Sequence, residues 1–309
     1  MRGEEGFALV ITLIITALLV ALTAEFADEI YVDTTNRQNF VDGQQASLLA
    51  DSGITAGIKV LQMTAGGQGY SSLGDQWATP LQWEDESGKL TVSIEEENGK
   101  LNLNYITLPN GTDNEPYHGI FARMLKKMAL PPDLADCVAD WVDEDDTPHP
   151  GGAETSYYSA LKPPYAAKNA RLDTLEEVRL VKGFDAGTLE RLRPDITVYA
   201  DNPANPSAAP ININTAPAEV IGALDDGMTD ALVSRVVEYR KTTPFQTTAE
   251  VFNVPGMEKF AQRLSGHLVV KGSLYRLRSQ ATVNETVRII EAVVRIDGPK
   301  PIIHYWREY

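Results

Sequence analysis

Cysteine is nearly absent from this chain, since Cys137 is the only one among 309 residues. A single cysteine excludes an intramolecular disulfide and a thiolate metal cluster. Cys137 lies at helical spacing from Leu134 and Trp141, and a free cysteine in such a pattern behaves as a small buried hydrophobe. We therefore expect Cys137 to be a core residue.

Positive charge is scarce as well, because 27 Lys and Arg residues stand against 43 Asp and Glu residues and the formal net charge is -16. Such a field repels a polyanion such as DNA, and an anionic membrane surface does not attract it. Divalent cations and basic partner surfaces are the natural complements. We therefore expect no nucleic-acid partner.

The common enzyme signatures are missing. The sequence contains no HExxH, GxSxG or Walker A motif, and its four histidines are scattered along the chain without paired ligand spacing. No arrangement of a nucleophile with a base stands out either. We therefore expect that the chain is not an enzyme.

Charge is absent altogether from Phe7 to Ala24, and these 18 residues are about the shortest helix that spans a bilayer. A secretory signal peptide would need a basic start and a small-residue cleavage site after the apolar core, whereas Ala21 and Thr23 offer a poor one. A simple membrane anchor is a second interpretation. The third is a prepilin, which is cut before the apolar run, between Gly6 and Phe7.

The prepilin interpretation fits best, because Gly6 is followed at once by an aromatic residue and an unbroken apolar segment. The helical pattern continues without proline to about Leu61, and a helix of roughly fifty residues would be about 75 Å long. Such a rod, apolar in its first half and amphipathic in its second, suits packing into a filament. An anchor followed by a separate soluble helix is the alternative. The apolar residues of the second half are Phe26, Ile30, Phe40, Leu48, Leu49, Ile54, Ile58 and Leu61.

Two segments after the long helix predict a β-hairpin. Residues 90–94 and 101–105 alternate between apolar and polar with a period of two, as strands do. Asn98-Gly99 lies between them and is a strong signal for a tight hairpin turn.

The C-terminal region of the chain predicts further strands. Residues 267–283 and 286–296 are typical of two strands joined by a short turn. The tail, residues 302–309, contains Trp306 and Tyr309 and predicts either an additional edge strand or a segment that docks on a partner.

Residues 115–265 are mostly helical in pattern. Residues 173–177 and 247–250 contain capping boxes, Thr with Glu three positions later. Residues 211–256 look like helix-hairpin-helix repeats, but the turn at 224–230 carries three carboxylates that would repel a phosphate backbone, so we expect these hairpins to be structural. The fold class predicted is α+β: a pilin-like long N-terminal helix packed on a small antiparallel sheet, with a large inserted α-helical domain that contains helix-hairpin-helix-like units.

The densest run of carboxylates, residues 140–146, is a candidate cation site. Alternate side chains such as Asp143 and Asp145 can converge from an irregular loop, and the Pro and Gly residues of 148–152 allow Glu154 to fold back toward them. The spacing differs from that of an EF-hand. We predict a calcium site with Asp143, Asp145 and Glu154 as metal ligands; the alternative is a solvated acidic loop after a helix C-terminus.

The N-terminus resembles the superfamily of type IV pilins and type II secretion pseudopilins, with one departure. Most members carry glutamate as the fifth residue after the cleavage site, where this chain has Ile11. A carboxylate inside a membrane is costly unless it is paired, and in the family it pairs with the N-terminal amine of the subunit assembled before it. The resemblance implies that a subunit with Ile11 needs no such predecessor and is the first one, at the tip.

The whole chain resembles the minor pseudopilin K family of type II secretion (GspK). No single motif decides this, but their order along the chain is specific. The matching features are Ile11, Gly99-Lys-Leu-Asn-Leu-Asn104, Asp140-Trp-Val-Asp-Glu-Asp145, Gly152-Ala-Glu154, Tyr157-Tyr158, Asn169 and Asn212-Ile-Asn-Thr-Ala216.

The resemblance implies a calcium-binding helical domain and a tip complex with the I and J types of minor pseudopilin, which caps a filament of the major pseudopilin. It implies processing by a prepilin peptidase at Gly6 and Phe7, with methylation of Phe7. The family has an acidic residue directly after Gly-Ala-Glu, where this chain has Thr155, so a ligand at that position is not expected here.

The resemblance predicts a minor pseudopilin of the type II secretion system whose tip complex initiates and caps the pseudopilus that exports folded proteins from the periplasm. We expect a single-pass protein of the bacterial inner membrane with its globular region in the periplasm. The alternatives are a minor pilin of a type IV pilus-like system and a membrane-anchored helix-hairpin-helix binding protein. The predicted divisions are a leader (1–6), a transmembrane pilin helix (7–62), a first segment of the pilin-like sheet (63–110), an inserted helical domain (111–265) and a second segment of the same sheet (266–309).

Overall fold

The computed structural model describes residues 4–64, 67–200, 208–298 and 300–309. Helix α1 (Glu4–Thr64) begins the described chain and runs unbroken for 61 residues, which confirms the predicted long helix. Residues 1–3 of the predicted leader lie outside the described residues. The strands are β1 (Leu81–Asp85), β2 (Gly88–Glu96), β3 (Leu101–Asn102), β4 (Ile196–Thr197), β5 (Ile211–Asn212), β6 (Leu268–Val269), β7 (Leu274–Val283), β8 (Thr286–Arg295) and β9 (Ile302–Glu308).

Short helices fill the middle of the chain, as its pattern predicts. They are α2 (Tyr117–Lys127), α3 (Leu134–Val142), α4 (Thr155–Tyr158), α5 (Ala186–Leu192), α6 (Ala218–Ala223), α7 (Asp230–Thr242), α8 (Thr248–Val251) and α9 (Ala261–Leu264). Turns of 3-10 helix occur at Gln76–Ala78, Glu97–Gly99, Leu103–Tyr105, Leu175–Leu180 and Glu258–Phe260.

The main sheet is antiparallel, with the strand order β1-β2-β7-β8-β9. The last third of α1 packs on it and buries apolar side chains such as Ile54 and Leu61. Gly53 makes this close approach possible, because a Cβ there would overlap the hydroxyl of Ser279. The predicted C-terminal hairpin is confirmed as β7 and β8, which turn at Asn284 with a positive φ of 51°. Its first strand is shorter than the predicted range 267–283, because β7 begins at Leu274 and residues 268–269 form the separate strand β6, which pairs with β5.

The hairpin predicted at Asn98-Gly99 is wrong. Strand β2 pairs with β1 on one side and with β7 on the other, and Glu97–Gly99 is a 3-10 turn from which the chain leaves the sheet. The side chain of Asn98 accepts hydrogen bonds from the backbone N–H groups of Ser273 and Leu274 at 3.0 and 2.9 Å. Asn98 therefore links the end of β2, where the chain leaves the sheet, to the start of β7, where it re-enters, and does not form a local hairpin turn.

A second and larger core lies in the helical region between β2 and β7. Leu101, Leu103 and Tyr105 belong to this core, and the two-residue strand β3 pairs in parallel with β4. The domain boundaries drawn at 110 and 265 remain predictions, but the larger core already begins at residue 101. Cys137 is buried in it, as expected.

The predicted capping boxes form only in part. Neither Thr174 nor Thr247 caps its helix with its side chain. The glutamate of each box does bond back to the backbone, but to the residue before the N-cap threonine. Glu177 Oε2 accepts a hydrogen bond from the backbone N–H of Asp173 at 3.0 Å, and Glu250 Oε2 accepts one from the backbone N–H of Gln246 at 2.8 Å. Helices α6 and α7 are joined by a tight turn, and their assignment as a helix-hairpin-helix unit remains a prediction.

Candidate functional site

Three predicted ligands converge at the end of α3. Asp143 is the residue that ends this helix, Asp145 lies in the following loop, and Glu154 directly precedes α4. One carboxylate oxygen from each lies within 4.8 Å of the other two. We call Asp143, Asp145 and Glu154 the acidic cluster.

Glycine lets the loop return close to α3. The backbone N–H of Gly152 donates to the carbonyl of His149 at 3.0 Å, which closes a turn two residues before Glu154. A Cβ on Gly152 would overlap the carboxylate of Asp140, one helical turn before Asp143. A larger residue here would have to displace either the Asp140 side chain or the loop that carries Glu154.

Several oxygens at this site are buried and without a protein hydrogen bond. Among the described residues, neither carboxylate oxygen of Asp143 or Glu154 has a partner, and Oδ2 of Asp140 has none either. The exposed fraction is 0% for Asp143 and 2% for Glu154. A buried carboxylate without compensation costs several kcal/mol. The arrangement is therefore incomplete as a set of protein groups alone.

Electrostatics at the acidic cluster disfavour ionisation in the absence of a cation. Burial, followed by the charges of Asp140 and Asp143, raises the pKa of Glu154 to about 8. Burial and the charges of Asp145 and Asp140 raise the pKa of Asp143 to about 6. Each shift reports that a second negative charge is unfavourable here, and a bound cation would reverse that balance.

Asn169 is a further polar group of this site that the sequence-based ligand set does not include. Its side-chain amide donates to the carbonyl oxygen of Asp145 at 2.9 Å and to a carboxylate oxygen of Asp146 at 3.2 Å. Within the described ranges, its own Oδ1 is buried and has no hydrogen-bond partner. Asp140 also belongs to the site and is equally absent from that set. The i, i+3 spacing of Asp140 and Asp143 on α3 would have found Asp140, whereas Asn169 has no local signal.

The donor set fits a hard divalent cation. It consists of carboxylate oxygens with an amide oxygen beside them, the ligand types that Ca²⁺ prefers, and it comes from an irregular loop that can supply several oxygens at once. The partnerless oxygens of Asp143 and Glu154 are the structural observation that supports this fit. The ligand roles of Asp143, Asp145 and Glu154 remain a prediction.

The other predicted site residues lie at the beginning of α1. Gly6, Phe7 and Ile11 all belong to this helix, and Phe7 and Ile11 are exposed. Within the described ranges, α1 from Gly6 onward is the one helix long and apolar enough to cross a membrane, and its apolar window is not covered by the rest of the protein. Cleavage between Gly6 and Phe7 and the tip-specific role of Ile11 remain predictions.

Large apolar side chains also stay exposed on α1 beyond its uncharged first segment, residues 7–24. One group follows the middle of the helix, and a second follows β9, the edge strand that the tail forms as one of the two predicted alternatives. The first group is Phe26, Ile30, Tyr31, Val32, Phe40, Val41 and Leu48, and the second is Ile302, Ile303, Trp306 and Tyr309. Both surfaces are suited to protein contacts.

Comparison with protein families identifies relatives of the helical region. Two family models, both described as "Type II secretion system (T2SS), protein K", match residues 99–201 and residues 211–271. Together they cover more than half of the chain.

Curated relatives extend the similarity to nearly the full length. "Type II secretion system protein K" of Pectobacterium carotovorum subsp. carotovorum is 28% identical over 97% of this chain and 95% of its own length. The protein of the same description from Aeromonas hydrophila is 28% identical over 94% of this chain and 93% of its own.

A solved structure shares the fold. The match is to a chain of the crystal structure of the GspK-GspI-GspJ complex from the enterotoxigenic Escherichia coli type 2 secretion system, with a TM-score of 0.75. It covers 90% of this chain and 99% of that one, at 22% sequence identity.

Proposed function

Since this chain belongs to the type II secretion system protein K family and is a minor pseudopilin, we propose that it leads the pseudopilus and binds the I and J types of minor pseudopilin at its tip. The family favours secretion over the alternatives of a pilus subunit and of an anchored helix-hairpin-helix binding protein. The chain then acts as an assembly subunit and not as an enzyme. Its anchor lies in the bacterial inner membrane and its globular region in the periplasm.

The carrying observation is the chemistry of α1. Its membrane-spanning segment exposes apolar side chains without a carboxylate, and Ile11 occupies the position where a following subunit would need an acid. A buried acid would require a neighbouring amine, because an unpaired charge in hydrocarbon is costly. A helix that is apolar at this depth can be inserted first and can receive later subunits without a partner ahead of it.

The partner surface follows from the same helix. The exposed apolar group along the middle of α1, from Phe26 to Leu48, lies on the stretch of the helix that leaves the bilayer and precedes the sheet. Parallel helices of other pseudopilins would cover this group in a bundle, as apolar stripes on long helices do. That the solved relative was crystallised with GspI and GspJ supports partners of this kind.

The acidic cluster serves this role as a structural calcium site. A cation bound by Asp143, Asp145 and Glu154 would link the end of α3 to the start of α4, which are otherwise joined by a Pro- and Gly-rich loop. The buried oxygens of these groups would then be satisfied. Calcium would supply rigidity to the helical region and no chemistry.

Complex formation is the direct test of the proposal. The full-length chain is produced together with the I-type and J-type minor pseudopilins of its own secretion system, extracted in detergent and purified through a tag on a partner. We expect a complex of the three chains in equal amounts. Labelling of this chain along the length of isolated pseudopili, and not at one end, would overturn the tip assignment.

The N-terminus offers a separate test of prepilin processing. Mass spectrometry of the protein extracted from membranes should find Phe7 as a methylated first residue. A chain that still begins at Met1, or that begins after Ala24, would exclude cleavage between Gly6 and Phe7.

A further inference from the structure

Strand β9 is an edge of the main sheet and carries large apolar side chains. Among the described residues, β9 pairs only with β8, so its outer side has no strand beside it. Edge strands are commonly guarded by charged residues, and the opposite edge follows this rule, since Glu84 and Asp85 end β1 directly after Trp83. Strand β9 instead exposes Ile303 and Trp306.

A bulge in β9 places these two side chains on one face of the sheet. In a regular strand, residues three apart lie on opposite faces, because successive side chains alternate. Trp306 pairs with Ala292. After a register shift between Val293 and Val294, Ile303 pairs with Val294, so β9 has one extra residue between its two apolar side chains. Ala292 and Val294 are buried in the core under α1, and cross-strand partners share a face. Ile303 and Trp306 therefore lie on the face that α1 packs on.

This face of the sheet is wider than α1. Five strands about 4.8 Å apart span about 19 Å between the two outer strands, whereas a helix with its side chains is about 10 Å wide. Helix α1 lies mainly over β7 and β8, and the 3-10 turn Gln76–Ala78 packs Trp77 beside it on β2. Ile303 and Trp306 do not belong to the core that these elements form. In the described structure, a strip about one helix wide is therefore open over β9.

The open strip continues onto one flank of α1. A Cβ on Gly43 would lie 3.2 Å from Nη2 of Arg288, so this flank faces β8 and, next to it, β9. Leu49 marks the opposite flank, close to Gly88 of β2. Phe40 lies three residues before Gly43, which places it on the same flank, and it is exposed. One apolar surface thus extends from α1 onto the sheet.

We propose that Phe40, Ile303 and Trp306, which we call the flank surface, bind the N-terminal helix of the subunit that is assembled next after this one. The inference rests on the proposed function, in which this chain leads the filament and every other subunit arrives after it. A helix parallel to α1 fits a strip one helix wide and covers α1 and β9 together. A strand added to the edge of β9 would leave Phe40 uncovered.

The area of the flank surface suits such a helix. A large side chain buries about 150–250 Å² when it is fully covered, so these three, which are about half exposed, offer about 300 Å² of apolar area. A specific interface needs about 800 Å² per partner, and the exposed apolar group of α1 continues the contact toward its N-terminus. Nε of Arg288 lies 3.9 Å from Oε1 of Glu308 at the border of the surface, where interfaces are typically polar.

Photochemical cross-linking identifies the occupant. The photoreactive amino acid benzoylphenylalanine replaces Trp306 in the full-length chain, which is produced with the I-type and J-type minor pseudopilins of its own secretion system. Irradiation of the purified complex should link position 306 to the N-terminal helix of one partner, as located by mass spectrometry of the linked peptides. The same probe at Trp83 is the matched control, because Trp83 is 46% exposed and Trp306 is 42% exposed, each on an edge strand of one sheet. It should not link to that helix.

An alanine variant measures the strength of the contact. Trp306→Ala should weaken binding of the co-purified I-type and J-type proteins to the full-length chain in detergent by about 10-fold or more, because tryptophans at the centre of an interface carry much of the binding energy. Trp83→Ala should bind as the unchanged chain does. Both side chains are exposed, so urea unfolding should find the two variants equally stable.

The outcomes separate this inference from the proposed function. A complex that forms but links position 306 to a strand or loop of a partner, to a second copy of this chain or to nothing would overturn the flank surface and leave the proposed function in place. Unchanged binding by Trp306→Ala, or equal weakening by Trp83→Ala, would do the same. Failure of the unchanged chain to form the complex would overturn the proposed function and the flank surface with it.

Discussion

The uncharged first segment of α1, residues 7–24, and the acidic cluster are opposite in chemistry, yet each departs from the ordinary distribution of residues between surface and interior. Around Ile11 the helix exposes uncharged and mostly apolar side chains, whereas Asp143 and Glu154 bury their carboxylates almost completely. Soluble proteins normally do the reverse in both cases. We propose that each region is completed by something outside the described protein atoms, namely hydrocarbon or a partner helix for the apolar segment and a cation for the acidic cluster. In this chain both proposed functional regions thus lie where apolar side chains are exposed or charged groups are buried.

Removal of calcium should have the largest effect. When the free concentration of a cation is about 1,000 times its dissociation constant, binding stabilises the folded state by about 4 kcal/mol. Chelation should therefore lower the free energy of unfolding by up to that amount. Urea unfolding followed by tryptophan fluorescence, with calcium and with a chelator, measures the difference. Trp141 lies on α3 two residues before Asp143 and would report local loosening.

The matched variants of this first prediction separate a specific site from general charge. Glu154→Gln should abolish the stabilisation by calcium, and in chelator it should be at least as stable as the unchanged protein, because folding no longer has to protonate a buried carboxylate or bury its charge. Asp226→Asn, at an exposed carboxylate in the turn between α6 and α7, should keep the full response. A Glu154→Gln protein that calcium still stabilises would exclude Glu154 as a ligand.

Ile11→Glu tests the role of the apolar first segment of α1. An acid inside a membrane helix costs up to about 3 kcal/mol when it has no partner, and a leading subunit has no neighbour ahead of it that could supply one. Recovery of the complex with the I and J types should therefore fall, as measured by co-purification from membranes. Ile11→Leu should leave recovery unchanged. An Ile11→Glu chain that assembles normally and stays at the tip would show that the apolar residue is not what defines the first subunit.

The stability of the calcium-free protein should decrease as the pH rises from about 5 to about 8. The pKa of Glu154 is raised from 4.5 to about 8, and that of Asp143 to about 6. In this range the folded protein therefore holds protons that the unfolded chain has already released, and deprotonation favours the unfolded state. Urea unfolding at several pH values should show this slope in chelator and lose it with calcium.

Glu154→Gln again provides the control for the pH dependence. It should remove the portion of the slope between about pH 6 and 8 and leave the portion that belongs to Asp143. A calcium-free protein whose stability is flat or rises across this range would contradict the origin of the shifts in burial and mutual repulsion.

The sequence predicts the acidic cluster because its ligands come from one short stretch. Asp143, Asp145 and Glu154 are close in the chain, and proline and glycine between them favour a folded-back loop. His118 and His149 look scattered in the sequence, since only the packing of α2 on α3 brings them together. Local pattern thus predicts a cluster whose residues are near one another in the chain and misses a contact that tertiary packing creates.

The same limit explains the error in the sheet. The alternation in β2 correctly predicts a strand, but its partner β7 begins at residue 274, after the whole helical region. Asn98-Gly99 has the composition of a tight turn, yet Asn98 bonds to the backbone of Ser273 and Leu274. Pairing over such a distance is decided by the two cores and not by the turn residues. The long helix and the C-terminal hairpin, whose contacts are local, are predicted well.

The smallest effect on folding is expected for a change on the exposed face of α1, with a change on the buried face of the same helix as the contrast. Phe40 is 68% exposed and Ile54 is 1% exposed against the sheet. Phe40→Ala should change the free energy of unfolding by less than about 0.5 kcal/mol, while Ile54→Ala should cost about 2–5 kcal/mol because it leaves a cavity. Co-purification with the I and J types should not follow this order of stability loss. Phe40→Ala should reduce recovery of the complex although the subunit stays stable, since it removes a contact of the helix bundle. If Phe40→Ala leaves complex formation unchanged at equal stability, this face of α1 is solvent-facing in the assembly, and the exposed group from Phe26 to Leu48 is not the partner surface.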